Sequence, residues 1–140
     1  MPLLFSEGVG KQRLTLPEFV ALSATNHARM YGLFPRKGLL QPGADADVAI
    51  WNPLREVTLS ATTLHDNVGY TPYEGMRVTG WPETVVSAGR VIVERGELHA
   101  ERGSGRFIPR TTPMPCATER ELTPSTRFFR SLSYGAHEQK

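Results

Sequence analysis

Apolar positions along this chain change their spacing once. Between residues 15 and 32, Leu16, Phe19, Val20, Leu22 and Ala24 recur at helical intervals, which turns one side of a helix toward a core. Thr15 and Glu18 stand three apart with Pro17 in the first turn; that spacing lets each side chain bond the other residue's backbone amide, so a helix is expected to start at Thr15. In Ser23-Ala24-Thr25-Asn26 several side chains compete for backbone groups, and Thr25 or Asn26 is placed to cap a fresh turn through Ala28, Met30 and Tyr31. Two short helices are therefore expected, ended by Gly32.

Beyond Gly38 the pattern turns to short β-branched runs: Val48–Trp51, Val57–Leu59, Arg77–Thr79, Thr84–Val86 and Val91–Val93, divided by Gly, Pro, Asn or charged residues. These predict five short strands and an α+β fold. Ala88-Gly89 is placed to turn the chain between two such runs, and Arg95-Gly96 to turn it again before Leu98. From Gly103 to Lys140 the chain is rich in Thr, Ser and Pro with few spaced apolar residues, which predicts an extended or disordered tail. Five short strands and a helix pair leave sheet edges open, and such edges need covering by other chain segments.

Composition narrows this only a little. A chain of 140 residues fits one modest domain able to bury about 65–70% of the surface it exposes when unfolded. The 13 Gly and 11 Pro fit many turns and short elements. Lys and Arg exceed Asp and Glu by 16 to 14, with much of the basic excess near the C-terminus, so no nucleic-acid partner is expected. One cysteine, Cys116, excludes an internal disulfide framework and fits a reducing, cytoplasmic compartment. The start MPLLFSEGVG has neither the basic region nor the apolar core of a signal peptide, and no run is apolar enough for a membrane span. A soluble, unprocessed protein without a membrane partner is expected.

Candidate chemistry is sparse. Imidazoles aimed at one metal usually come as His-x-His on a strand or His-x-x-x-His on a helix, and His27, His65, His99 and His137 have neither spacing. Asp45 and Asp47 stand two apart, which on a strand puts both carboxylates on one face. Two such carboxylates repel each other unless a cation or hydrogen-bond donors intervene. The structural reading is that Gly43-Ala44-Asp45 forms a tight turn in which Asp45 bonds backbone amides, while Asp47 caps the entrance of the strand at 48–51. The loop HDNVGYTPYEG gathers His65, Asp66, Tyr70, Tyr73 and Glu74 around Pro72. It reads as a contact surface or as a packed loop with buried tyrosine rings. Arg36-Lys37 reads as an anion contact or a solvated turn, and Cys116 as an inert thiol. Serine nucleophile elbows and phosphate-cradling glycine loops are absent from the sequence.

The pieces LLFSEGV, ALSATNHARMYGLFPRKG, PGADADVAIWNP, YTPYEGMRVTGWP, VVSAGRVIVERGEL and GSGRFIPR, in this order, resemble the C-terminal third of the hydantoinase and dihydropyrimidinase branch of the amidohydrolase superfamily, from about Pro2 to Arg110. GADAD recurs widely among amidohydrolases; YGLFPRKG followed by YTPYEG is closer to the hydantoinase branch. In such proteins a metal-dependent TIM-type barrel hydrolyses a cyclic amide, beside a small β-sandwich built from both ends of the chain. The resemblance implies that residues 1–38 hold the last barrel helices and 39–102 the sandwich strands, while 103–140 remain the tail that composition predicts.

The family's His-x-His pair, carboxylated lysine, further histidines and metal-binding aspartate precede this region, so no catalytic, cofactor-binding or metal residue is carried onto this chain. Zinc or another divalent metal is implied for the full-length family, and none for this chain, which is expected to be inactive alone. The implied partner is a missing N-terminal barrel segment or further copies in a homo-oligomer. The alternative is a non-catalytic structural or assembly module of the same branch. A third reading, a free-standing ligand binder, needs a pocket lined by Trp51, Trp81 and the tyrosines.

Overall fold

A computed structural model describes residues 1–64 and 68–117. Two helical stretches lie against a four-stranded antiparallel sheet. The first stretch pairs α1 (Pro2–Leu4) with a π-helical turn, Phe5–Gly10. It escaped the sequence reading because SEGVG has little apolar period, and its inward side rests on one large residue, Phe5, which is buried.

The second stretch begins at α2 (Leu16–Val20), with Thr15 as its cap. The Glu18 carboxylate accepts the Thr15 amide at 2.7 Å and the Thr15 hydroxyl at 2.8 Å, and Thr15 Oγ1 accepts the Glu18 amide at 3.4 Å. Both bonds of the expected capping box form. α3 (Asn26–Met30) follows. The chain between the two helices does not break. It widens into a π-helical turn, Ala21–Thr25, whose flanking residues Val20 and Asn26 keep right-handed helical dihedrals. The Ser23 hydroxyl bonds the Phe19 carbonyl at 2.7 Å, a back-bond that loosens a helical ladder.

Neither expected cap serves the new turn: Thr25 Oγ1 donates to the Gly38 carbonyl and Asn26 Oδ1 accepts the Ala117 amide. Gly32 does end the helix. At φ +68° it lets Leu33 N–H reach the Ala28 carbonyl at 2.7 Å and Gly32 N–H reach the Arg29 carbonyl at 3.1 Å. These are the paired bonds of a Schellman motif.

The sheet has the order β1 (Val48–Thr58), β2 (Arg77–Ser87), β3 (Arg90–Glu94), β4 (Glu97–Leu98), each antiparallel to its neighbour. The expectation of five short strands is corrected: the runs at 48–51 and 57–59 belong to one strand that ends at Thr58, and those at 77–79 and 84–86 to another. Pro53, Gly80 and Pro82 sit at register shifts that interrupt the apolar pattern without ending the strands. Bulges absorb residues that a regular ladder would reject. Glu83, the extra residue opposite Ile50 and Trp51, is held by Asn52 Nδ2 at 3.0 Å and accepts the Arg95 amide on its carbonyl. Both expected turns form with positive φ at each central residue, Ala88 and Gly89 at +48° and +79°, Arg95 and Gly96 at +51° and +90°. That is the twist two-residue hairpins require.

The core between helices and sheet is small. The Phe5 ring stacks on Trp51 with centroids 4.9 Å apart, and Phe19 stands edge-on to both at 5.4 and 5.6 Å. Val78 is fully buried, Leu59, Ala21 and Ala28 nearly so. Phe5 lies this close to β2 because Gly80 has no side chain: a Cβ there would come within 2.2 Å of the ring.

Residues 103–117 have no helix or strand, and 111–117 run back along α3 with defined hydrogen bonds. The rest of the expected tail, 118–140, lies outside the described residues.

Candidate functional site

The two aspartates singled out in the sequence sit where the loop after α3 meets the β2–β3 turn. Asp45 does not chiefly bond amides of its own turn. Its Oδ2 pairs with Arg36 Nε and Lys37 Nζ, each at 3.0 Å. Asp47 Oδ2 also pairs with Lys37, and its Oδ1 accepts the Ala88 amide at 2.8 Å. Asp47 thus caps from a distance, tying the strand entrance to the hairpin, and the Ala46 carbonyl accepts the Gly89 amide beside it. Arg36 lies exposed on its turn and Lys37 is half-buried; they form no open anion site, because the Asp45 and Asp47 carboxylates pair with them. Sequence reasoning missed the pairing because it brings positions about ten apart together through a loop; the opposite signs were the available signal.

The electrostatics fit a closed clasp. Hydrogen bonding from Lys37, then from Arg36, holds the Asp45 carboxyl below the ordinary value against some desolvation. Burial pushes Asp47 up, but the Lys37 bond and the Ala88 amide outweigh it and the net shift is downward. Burial likewise pulls Lys37 down, and its bonds to Asp47 and Asp45 more than reverse this. Each carboxylate already has its cation, so the pair does not fit a metal ion. Among the described residues no three His, Cys, Asp or Glu side chains gather closely enough to hold one.

The remaining candidates stay apart. His27 stacks on Tyr31 at 6.2 Å on α3, whereas His99 follows β4 and donates its amide to the Ile92 carbonyl. His65, Asp66 and His137 lie outside the described residues. In the loop before β2 the tyrosines are not buried: Tyr70 is 70% exposed and Tyr73 46%. Glu74 closes that loop by accepting the Ala61 amide at 2.8 Å, a bond that with Ser60 lowers its pKa. Trp51 packs on Phe5 and Phe19 in the aromatic cluster, while Tyr70 and Tyr73 stand exposed. An open cleft of about 360 Å³ lies elsewhere, between Tyr31, Leu33, Phe107, Ile108 and Arg110. Cys116 is exposed.

No assembled catalytic constellation stands among the described residues, so comparison with known proteins has to say what the fold serves. Residues 9–93 match the model of the amidohydrolase family, well over half the chain. The chain belongs to the amidohydrolase family. Within that family it is 44% identical over 108 residues to a D-hydantoinase of Geobacillus stearothermophilus, covering 77% of this chain and 23% of that protein. It is 39% identical over 110 residues to the dihydropyrimidinase of Rattus norvegicus, covering 79% and 21%. The crystal structure of a dihydropyrimidinase from Brevibacillus agri superposes with a TM-score of 0.77 at 39% identity, over 80% of this chain and 24% of that one. This amidohydrolase chain therefore resembles the hydantoinase and dihydropyrimidinase branch, as its motifs implied, and spans about a quarter of the length of the relatives it matches. No helix among its described residues is long and apolar enough to cross a membrane.

Proposed function

We propose that this chain is the C-terminal part of a hydantoinase-type cyclic amidohydrolase, inactive alone, whose complete form opens a cyclic amide by hydrolysis of a C–N bond. One observation carries the reading: close likeness to D-hydantoinases and dihydropyrimidinases in sequence and fold, over about four-fifths of this chain and about a quarter of theirs. In this proposal the helices close a TIM-type barrel and the sheet belongs to a small sandwich. The ring-opening residues and the divalent metal expected of the family reside in segments outside this chain. The internally paired Asp45 and Asp47 support a scaffolding role for the clasp that joins loop and hairpin.

Apolar residues left in water support the same partner. Leu16, Val20 and Leu22 on α2 and the turn after it, and Ile50 and Leu54 on β1, are all exposed, Leu54 at 72%. Surface of this kind calls for a cover. The barrel part of an amidohydrolase chain is proposed to supply it. Co-expression with the barrel part of a hydantoinase tests the reading, with loss of dihydrouracil or hydantoin ring absorbance as the readout. Hydrolysis only when both pieces are present supports it. A soluble pair without hydrolysis would instead favour a non-catalytic assembly module.

A further inference from the structure

We propose that residues 111–117 form a releasable latch that closes the C-terminal end of α3, a conformational device independent of the reading above. A helix leaves its last carbonyls without intrahelical donors. Here the Schellman turn at Gly32 serves the Ala28 and Arg29 carbonyls, and the chain some eighty residues later adds a second donor to Arg29 and donors to the Gly32 carbonyl just beyond the helix. Thr111 N–H donates to the Gly32 carbonyl at 2.7 Å, and the Thr111 hydroxyl donates to the same oxygen at 3.0 Å. Met114 N–H reaches the Arg29 carbonyl at 2.9 Å. Ala117 N–H reaches Asn26 Oδ1 at 2.8 Å. Arg29 answers from the helix, its Nη1 donating to the Pro115 carbonyl at 3.4 Å while its guanidinium lies 4.9 Å over the Phe34 ring.

The latch follows α3 for its whole length, with donors at 111, 114 and 117 in turn. Its closest point is fitted to glycine: a Cβ on Gly32 would stand 2.0 Å from the Thr111 carbonyl oxygen.

Two features make the latch releasable. Residues 111–116 are all exposed, so hydrogen bonds hold it and almost no apolar burial does. The approach to it, residues 99–107, is exposed throughout and has neither helix nor strand, with open space around Gly103 and Gly105. Such segments open locally without unfolding the rest. Release leaves the Gly32 carbonyl, one bond of the Arg29 carbonyl and the Asn26 amide to water, and removes the wall of the cleft that Ile108 and Arg110 form with Tyr31 and Leu33.

Hydrogen exchange of the full chain, with trypsin cleavage after Arg110 as a second readout, tests the latch. In the wild type the amides of Thr111, Met114 and Ala117 are expected to be protected, though less than those of Val85 and Val93 in the sheet. In Gly32→Ala all three should exchange about tenfold faster or more, and Arg110–Thr111 should be cut sooner, with the sheet amides unchanged. Should Gly32→Ala unfold the chain, Asn26→Ala decides: it removes the acceptor for Ala117 while keeping a good helix former. It should speed exchange at Ala117 with the sheet intact. Latch amides that exchange at unstructured rates in the wild type would overturn the proposal, as would protection untouched by both substitutions, or latch and sheet amides opening only together.

Discussion

At the level of single residues, backbone freedom at a few glycines decides whether helices and sheet can meet. Gly80 combines φ +94° with a Phe5 ring where its Cβ would be. Gly80→Ala is therefore expected to cost at least about 2 kcal/mol, from overpacking together with left-handed strain. Gly43→Ala, at φ +91° with nothing within 4 Å, should cost only the strain, about 1 kcal/mol. Urea midpoints for the two variants check the ordering, and equal midpoints would remove Phe5 from β2.

The clasp makes the second prediction, in pH. Asp45 and Asp47 titrate lower in the folded state than in the unfolded one. Their contribution is thus complete above the ordinary carboxyl value of about 3.9 and is lost as pH falls through their lowered values. Lys37 titrates higher when folded, so its contribution is complete below about 10.4 and is lost as pH rises through its raised value. Urea midpoints should be flat between these limits and fall on both sides. Lys37→Met should lower the plateau and flatten the alkaline limb. The acid limb should shrink but persist, because Glu18 and Glu74 are also held low, by Thr15 and by the Ala61 amide.

Among the elements, what could be read from sequence was whatever local chemistry fixes. The capping box at Thr15, the Gly32 stop and both hairpin turns need only neighbours in sequence, and all four form. The strands were read too short because Pro53, Gly80 and Pro82 normally mark ends, whereas here bulges carry them within β1 and β2. The helix at Pro2–Gly10 and the Lys37 clasp were not legible, since each depends on a distant partner: Trp51 and Gly80 for Phe5, the loop and the Ala88 amide for Asp47.

Thr15→Ala should cost about 1 kcal/mol as a lost cap. Glu18→Ala should cost no less than Thr15→Ala: both lose the 2.8 Å bond between the two side chains, and Glu18→Ala also gives up the 2.7 Å bond from the Thr15 amide, shorter than the 3.4 Å bond that Thr15 Oγ1 accepts. Helix content by circular dichroism, followed through urea, reads both. A Glu18 variant as stable as wild type would mean that Pro17 and packing start the helix unaided.

For the whole molecule, the small aromatic core contrasts with the apolar residues left in water. Val20, Leu22, Ile50, Leu54, Val91 and Leu98 are exposed, and covering such groups is worth about 25 cal/mol per Å². The outer edge of β1 has no neighbour strand among the described residues, which adds unpaired backbone groups to the same demand. In the proposed function this surface meets the rest of a protein of the kind the chain resembles, relatives more than three times its length. The most direct test is sedimentation of this chain alone and mixed with the barrel part of a hydantoinase. Self-association or aggregation of the chain by itself is expected, replaced by a discrete mixed species when the barrel part is supplied. A monodisperse monomer that melts cooperatively and ignores the barrel part would contradict it.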